Sequence, residues 1–145
     1  MTLVPHGDAP DPPVDLFGPG AAFHHVGLVV RSIERVAPAG TIVYEDPVQR
    51  VRVAFVDLHG VCVEYIEAAA DDSPVRNHLR QGHLLAHLCY EVPDLRVALD
   101  AATAAGFRTV AEPVAAVAFG GRHIAWVFSG VYGLVELLAA PASNE

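Results

Sequence analysis

A histidine and a glutamate recur at corresponding places in the two halves of this 145-residue sequence. His25 opens an apolar run in the first half as His87 does in the second, and Glu64 and Glu136 lie within the runs that close the two halves. Two imidazoles and two carboxylates suit a divalent ion such as Co, Mn, Ni, Zn or Fe. The repeated set predicts a metal site for which these four residues are the candidate ligands.

Both glutamates stand between apolar neighbours in segments with the pattern of β-strands. A carboxylate that faces the interior without a partner is strongly unfavourable, and a bound metal supplies the missing partner. The alternative is that each strand presents its acid to solvent, because the direction of a side chain depends on strand register. The recurrence of the pair in both halves favours the metal.

The elements that must position these residues repeat as well. The pattern of β-branched runs, separated by turns that contain glycine, proline and aspartate, predicts a strand, a helix and three further strands in each half. The two halves are residues 22–68 and 82–140. The first helix is short, since Pro38 and Gly40 follow it closely. A linker over 69–81 carries a further short helix from Pro74 to Arg80. The predicted fold class is α+β, with two βαβββ modules.

The segment that precedes the modules, residues 1–21, is predicted to be a flexible proline-rich arm. It holds five prolines and no periodic apolar pattern. The alternative is an arm that packs on a partner subunit. Residues 22–145 are then expected to form a single domain.

The composition excludes several classes of function. A net charge of −8 disfavours a nucleic-acid partner. All nine basic residues are arginines, which excludes Schiff-base chemistry and a P-loop lysine. No run approaches the roughly 18 apolar residues that span a bilayer, and no secretory signal is evident, so a cytoplasmic protein without a membrane partner is expected. Cys62 and Cys89 lie in apolar runs, as small hydrophobic residues do.

The four histidine and glutamate positions resemble those at which the vicinal oxygen chelate superfamily carries its metal ligands. This superfamily includes glyoxalase I, bleomycin-resistance proteins and extradiol dioxygenases, and the resemblance over residues 22–139 is greatest to the methylmalonyl-CoA epimerase family. The resemblance implies modules that curl mixed sheets around a central metal-binding cavity. The motifs that carry it are Phe23-His24-His25-Val26-Gly27, Val63-Glu64-Tyr65-Ile66-Glu67, Asp72-Ser73-Pro74-Val75, Gly82-His83, His87-Leu88-Cys89-Tyr90-Glu91-Val92 and Gly133-Leu134-Val135-Glu136-Leu137.

The resemblance also implies the chemistry. His25, Glu64, His87 and Glu136 would hold the ion and leave room for substrate oxygens. In the epimerase family the ion polarises a thioester carbonyl and a carboxylate, which promotes proton transfer at the carbon between them. The expectation is therefore a metal-dependent isomerase or lyase that acts on a small molecule, specifically an acyl thioester such as methylmalonyl-CoA. A homodimer is the expected assembly.

The sequence departs from the epimerase family at one catalytic position. Where that family carries a glutamate acid/base, this chain has Val48. The candidate catalytic residues are Glu136 itself, Glu45 as a shifted base with Asp46 beside it, and His123, which lies on an alternating strand and could face the cavity. The alternative for Glu45 is a solvated turn.

Three residues are predicted to bind substrate. His83 precedes His87 by four positions, which places both on one face of a strand. Tyr65 could offer its hydroxyl at the cavity, and the Arg122 guanidinium suits an anionic group. The alternatives are a histidine at a strand edge, a core aromatic and a surface cation.

Other functions remain open at this point. The altered base and short first helix would permit an isomerase or cyclase that acts on a secondary-metabolite intermediate. A second alternative is a non-catalytic protein that sequesters a ligand, as antibiotic-resistance members of the superfamily do. An iron-dependent dioxygenase ranks last, because that chemistry usually uses two histidines and one carboxylate.

Overall fold

The computed structural model describes residues 14–142, and within them the predicted α+β architecture with curled mixed sheets is confirmed. The strands are β1 (Ala22–Val29), β2 (Tyr44–Asp46), β3 (Val51–Leu58), β4 (Val61–Ala68), β5 (Leu85–Val92), β6 (Arg108–Ala115), β7 (His123–Ser129) and β8 (Gly133–Ala139). The helices are α1 (Ile33–Val36), α2 (Arg76–Gln81) and α3 (Leu95–Ala104), with a 3₁₀ turn at Val117–Phe119.

The strands form one sheet that runs through both halves of the chain, in the order β2-β3-β4-β1-β5-β8-β7-β6. In each half the first strand pairs parallel with the last, β1 with β4 and β5 with β8. The two halves join where β1 pairs antiparallel with β5. The four strands β4, β1, β5 and β8, which carry the repeated histidines and glutamates, are therefore the central strands of the sheet.

The second half of the sheet is covered by α3. This helix begins after Asp94, whose Oδ1 accepts a hydrogen bond from the backbone N–H of Val97 at 3.1 Å and so caps the first turn. Ala98, Leu99 and Ala102 face the sheet and are buried, as their spacing along a helix requires. This packing forms the larger core of the molecule.

The first half has a smaller helical cover. Helix α1 has four residues, of which Ile33 is buried. The core on the inner side of this half is formed by Val29, Val51, Val53 and Ile66, against which Val75 and Leu79 from the linker pack. Helix α2, which lies in the linker, thus contributes to the interior of the first half.

Residues 1–13 of the predicted arm, which spans residues 1–21, lie outside the described residues. Beyond that point Phe17 is buried, with its ring 5.2 Å from that of Tyr90 and 5.4 Å from that of Phe107. This part of the arm packs on the same core as α3. The boundaries of the arm and of the two modules stay predictions. None of the helices in the described part of the chain is long and apolar enough to cross a membrane.

Candidate metal centre and cavity

Each of the four central strands contributes one side chain to a buried cluster. His25 lies on β1, Glu64 on β4, His87 on β5 and Glu136 on β8, and none is more than 7% exposed. The register explains the convergence, because Gly27 pairs with both Glu64 and His87 across β1. The strand pairings thus bring together residues that lie far apart in the sequence.

The two imidazoles lie at similar distances from each other and from the two carboxylates. His25 Nε2 lies 3.3 Å from His87 Nε2, 3.6 Å from Glu64 Oε1 and 3.2 Å from Glu136 Oε1. His87 Nε2 lies 3.4 Å from Glu64 Oε1 and 3.6 Å from Glu136 Oε1. Ligand atoms at about 2.1 Å from one shared ion lie about 3.0 Å apart at right angles and about 3.4 Å apart at the tetrahedral angle. The observed separations of 3.2–3.6 Å are close to these values, so one ion could contact all four atoms.

A second observation supports a divalent ion at this point. Glu136 Oε1 is buried and has no hydrogen-bond partner, although it lies 3.2 Å from His25 Nε2. A buried carboxylate oxygen without a partner is strongly unfavourable. An ion at the centre of the four atoms would satisfy it, so the residues fit a divalent metal of the kind that imidazole and carboxylate bind. They form a candidate metal-binding group.

The protonation of the cluster follows from its surroundings. Burial lowers the pKa of both imidazoles, but the adjacent Glu136 and Glu64 outweigh it, so the pKa of His25 is raised and that of His87 is raised to about 9. Burial alone would raise the pKa of Glu136, but His25 and His87 lower it to about 2. A metal binds imidazoles in their neutral form, so a divalent ion that binds here would displace protons from the two histidines.

Gly27 makes room for one of the imidazoles. A Cβ atom at this position would lie 2.2 Å from Cε1 and 2.4 Å from Nδ1 of His87. The ring therefore rests directly on the backbone of β1, where only glycine leaves space for it. The glycine of the His25-Val26-Gly27 motif serves this contact.

His24 does not lie on the opposite face from His25, as adjacent residues on a regular strand would. The pairing of β1 with β5 shifts between Phe23 and His25, so His24 is the extra residue of a bulge. Its Nδ1 lies 2.8 Å from Nδ1 of His25, which is a hydrogen-bond distance. Burial, with His25 as the next cause, lowers the pKa of His24 and favours its neutral form. A neutral His24 can accept the proton of His25 Nδ1 and leave His25 Nε2 as a ligand.

A cavity of about 320 Å³ lies beside the cluster, and Glu64, His87 and Glu136 line it. Ligand sites for small molecules have volumes of about 300–1,000 Å³. Most of the other lining side chains are apolar, among them Val51, Val53, Ile66, Phe119 and Leu134. The cavity suits a compact organic molecule with an apolar body.

The turn between β2 and β3 contributes polar groups to this cavity, and they are held in place by hydrogen bonds. Asp46 Oδ1 accepts from the backbone N–H groups of Val48 and Gln49, both at 3.0 Å, and its Oδ2 accepts from Gln49 Nε2 at 3.1 Å. Gln49 Oε1 accepts from Trp126 Nε1 at 3.2 Å. The Trp126 ring meets the His87 ring edge to face, with centroids 4.7 Å apart. This chain of contacts links the first half of the molecule to a histidine of the second.

The structure places two predicted catalytic residues outside the cavity. Glu45 projects away from it, with its side chain 79% exposed and its carboxylate 3.7 Å from Arg52. Strand alternation puts its neighbour Asp46 inside instead. His123 is exposed at the start of β7, three residues before Trp126, so the two point to opposite faces. Of the predicted catalytic residues, Glu136 lines the cavity.

The predicted substrate-binding residues also lie away from the cavity lining. His83 is exposed in the loop that follows α2. Tyr65 follows Glu64 on β4 and therefore projects from the other face of the strand. Arg122 donates to Glu91 Oε2 at 2.7 Å and to the backbone oxygen of Ala139 at 2.8 Å, so its guanidinium is engaged within the chain.

The sequence alone assigns no role at the site to Gln49, His78 or Trp126, and it indicates Asp46 only beside Glu45 as a shifted base. Gln49 and His78 lie in a turn and in the linker, where no strand periodicity indicates which side chains point inward. Trp126 lies on a predicted strand, but the alternation of a strand does not tell which of its two faces lines a cavity. The spacing of His78 from Val75 and Leu79 on one short helix was the available signal.

The chain was compared with known families and structures. Residues 24–126 match the family model described as Glyoxalase/Bleomycin resistance protein/Dioxygenase superfamily. No curated protein matches the chain.

Three solved structures illustrate the likeness. A hypothetical protein from Bacillus halodurans C-125 is 22% identical with a TM-score of 0.71, over 87% of this chain and 99% of that one. Methylmalonyl-CoA epimerase from Mycobacterium tuberculosis is 20% identical with a TM-score of 0.68, over 82% and 88%. A mutant of 4-hydroxymandelate synthase from Streptomyces coelicolor is 15% identical with a TM-score of 0.60, over 88% and 51%. At these identities the likeness is one of fold.

Proposed function

The chain belongs to the glyoxalase/bleomycin resistance protein/dioxygenase superfamily, and from this premise we propose that it is a metal-dependent isomerase or lyase. Its substrate is a small molecule with a carbonyl or carboxylate group, next to which a proton is transferred. The specific activity proposed is epimerisation of an acyl-CoA thioester such as methylmalonyl-CoA. The predicted homodimer and cytoplasmic location stay predictions.

The observation that carries this proposal is the position of the four-residue cluster at the wall of the cavity. Glu64, His87 and Glu136 are buried in the cluster and also line the cavity, so an ion held by them would be reached directly by a bound molecule. When bound, a divalent ion supplies Lewis-acid polarisation of the substrate oxygens. His25 completes the set from the side away from the cavity lining.

The remaining lining controls the surroundings of the reacting group. Apolar side chains such as Val53, Ile66 and Leu134 exclude water from a filled cavity. Electrostatic interactions are stronger in such an environment than in water. The hydrogen-bonded turn at Asp46 and Gln49 fixes the polar part of the wall, so the substrate would meet groups that are already oriented.

The apolar lining favours a second candidate function as well. One arginine, Arg50, lies among the described residues that line the cavity, and its guanidinium is paired with Asp72 at 2.7 Å. The cavity itself thus offers little to an anionic substrate beyond the metal group. An isomerase or cyclase that acts on an apolar secondary-metabolite intermediate uses the same cluster and such a lining.

Metal analysis tests the shared part of both candidates. Chelator-free protein is expected to hold one divalent ion per chain, and His87→Ala and Glu136→Ala are expected to hold none. Absence of stoichiometric metal from the unaltered protein would overturn the proposal. Ligand binding that a chelator leaves unchanged would indicate a sequestering protein instead.

Isotope exchange tests the specific activity. Metal-loaded protein is incubated with methylmalonyl-CoA in heavy water, and deuterium at the α-carbon is followed by mass spectrometry. Incorporation well above that of the chelator-treated protein supports the epimerase. If metal is bound and no label enters, the acyl thioester is not the substrate, and apolar carbonyl compounds become the next probes.

A further inference from the structure

The polar side chains around the cavity are almost all committed to contacts within the chain. Both carboxylate oxygens of Asp46 accept hydrogen bonds from the turn, and Gln49 is bonded at both ends of its amide. Arg50 is paired with Asp72, and Glu64, His87 and Glu136 belong to the metal-binding group. None of these groups outside the cluster is available to exchange a proton with a bound molecule.

His78 is different. It lies on α2 and lines the cavity, and its Nδ1 is buried without a hydrogen-bond partner. No side-chain hydrogen bond holds its ring in one tautomer within residues 14–142. A buried polar atom without a partner is unfavourable, so the position of this atom does not stabilise the fold. An imidazole can take up and return a proton near neutral pH.

The packing of α2 keeps this ring at the cavity. Val75 and Leu79 flank His78 in the sequence and pack on the core of the first half, against Val29, Val51, Val53 and Ile66. The helix is therefore anchored by the residues on either side of His78. The backbone oxygen of His78 also accepts a hydrogen bond from the N–H of His83 at 2.8 Å, which fixes the end of the helix.

We propose that His78 is the acid/base residue that exchanges a proton with the substrate carbon. This inference rests on the proposed function and assigns the group that it lacks, since Glu45 and His123 lie outside the cavity. The carbon–hydrogen bond next to the substrate carbonyl breaks, its electron pair moves to the carbonyl oxygen, and the proton passes to the neutral imidazole. Addition of a proton to the carbon then restores the imidazole: addition to the original face gives exchange with solvent, addition to the opposite face gives the epimer, and no oxidant or reductant takes part.

The test compares His78→Gln with His83→Gln. Both are the same substitution in one segment, but His83 is exposed and does not line the cavity. The readouts are metal content, unfolding by circular dichroism, and deuterium incorporation into methylmalonyl-CoA. General acid–base groups contribute about 10²–10⁴-fold to rate. His78→Gln is expected to keep its metal and fold and to lose at least about 100-fold in exchange rate, while His83→Gln exchanges as the unaltered protein does.

The outcomes separate this proposal from the one on which it rests. If the unaltered, metal-loaded protein does not exchange label, the proposed activity fails and the role of His78 fails with it. Exchange in the unaltered protein that persists within about twofold in His78→Gln overturns the role of His78 alone. A variant that loses metal and exchange together shows that His78 is structural, which also overturns its role as the acid/base.

Discussion

The two halves of the sheet present the same pair of ligands but have very different helical covers. In the first half, α1 is four residues long and buries Ile33 alone. In the second half, α3 is ten residues long and buries Ala98, Leu99 and Ala102. The ligand atoms nevertheless converge from both halves with nearly equal spacing. The metal-binding cluster is therefore positioned by strand pairing, whereas α1 and α3 contribute mainly to stability.

The largest loss of metal affinity is expected at Gly27, because the backbone of β1 in the first half supports the His87 ring of the second half. Gly27→Ala places a Cβ atom 2.2 Å from the His87 ring, so the ring must leave its position. We expect a loss of metal affinity of at least about 100-fold, together with about 1–3 kcal/mol of stability from overpacking. Calorimetric titration with metal and chemical denaturation measure the two effects.

Gly130→Ala is the matched control for this variant. A Cβ atom there meets nothing within 4 Å, and its φ is not positive. It should bind metal as the unaltered protein does. Unchanged affinity in Gly27→Ala would show that His87 is not held by the backbone of β1.

The second prediction distinguishes the stability of the fold from its metal affinity, through substitutions on α3. Leu99→Ala removes a side chain that is 5% exposed from the core under α3, and such truncations cost about 2–5 kcal/mol. The metal affinity of the folded protein should not change, because α3 carries no ligand and packs on Val135 and Leu137, on the face of β8 opposite to Glu136. Val97→Ala, on the exposed side of the same helix at 48% exposure, should cost under about 0.5 kcal/mol. A fall in metal affinity for Leu99→Ala would contradict the separation.

A third effect concerns the pH dependence of the metal-free protein. The pKa of His87 is about 9 in the folded state against 6.5 in the unfolded chain. A raised pKa stabilises the fold below pH 6.5 and the stabilisation is lost as pH rises towards 9. Unfolding of chelator-treated protein should show a loss of about 2 kcal/mol between pH 6 and 8.

The metal-loaded protein is the comparison for this titration. Its imidazoles bind as neutral ligands and have no proton to lose in that interval. Its stability should therefore change less over the same pH range, and its metal affinity should increase as pH rises. Parallel curves for the two forms would contradict the assignment of the imidazoles as ligands.

The smallest effect concerns a difference between the two histidine ligands. His25 contacts His24 at 2.8 Å, whereas His87 is held by Gly27 and Trp126. His24→Leu removes the acceptor for His25 Nδ1 and should lower metal affinity about 10-fold. His24→Asn returns an acceptor oxygen and should recover most of that loss. Equal affinities in the two variants would show that His24 does not orient its neighbour.

The sequence predicts the fold and the cluster because both are repeated. The recurrence of a histidine on the first strand and a glutamate on the last indicated four residues, and the structure brings His25, Glu64, His87 and Glu136 within 4.8 Å of one another. The α+β architecture follows from the same repeat. A pattern that occurs twice is much less ambiguous than either copy alone.

The cavity residues that the sequence did not predict lie in segments that belong to neither the repeat nor a periodic strand or helix pattern. His78 lies in the linker between the modules, and Gln49 in a turn. His123 was expected at the cavity because its strand alternates, but the face that points inward carries Trp126. The bulge at His24 arises from pairing with β5, which strand patterning within β1 cannot reveal.

The antiparallel junction of β1 and β5 has a consequence for how the protein folds. His25 and His87 are separated by 62 positions in the chain, and their rings meet only after this junction has formed. Contacts between distant segments form slowly, because closing a long loop opposes them entropically. Metal capture therefore reports on the docking of the two halves, and a metal-sensitive refolding phase would measure its rate.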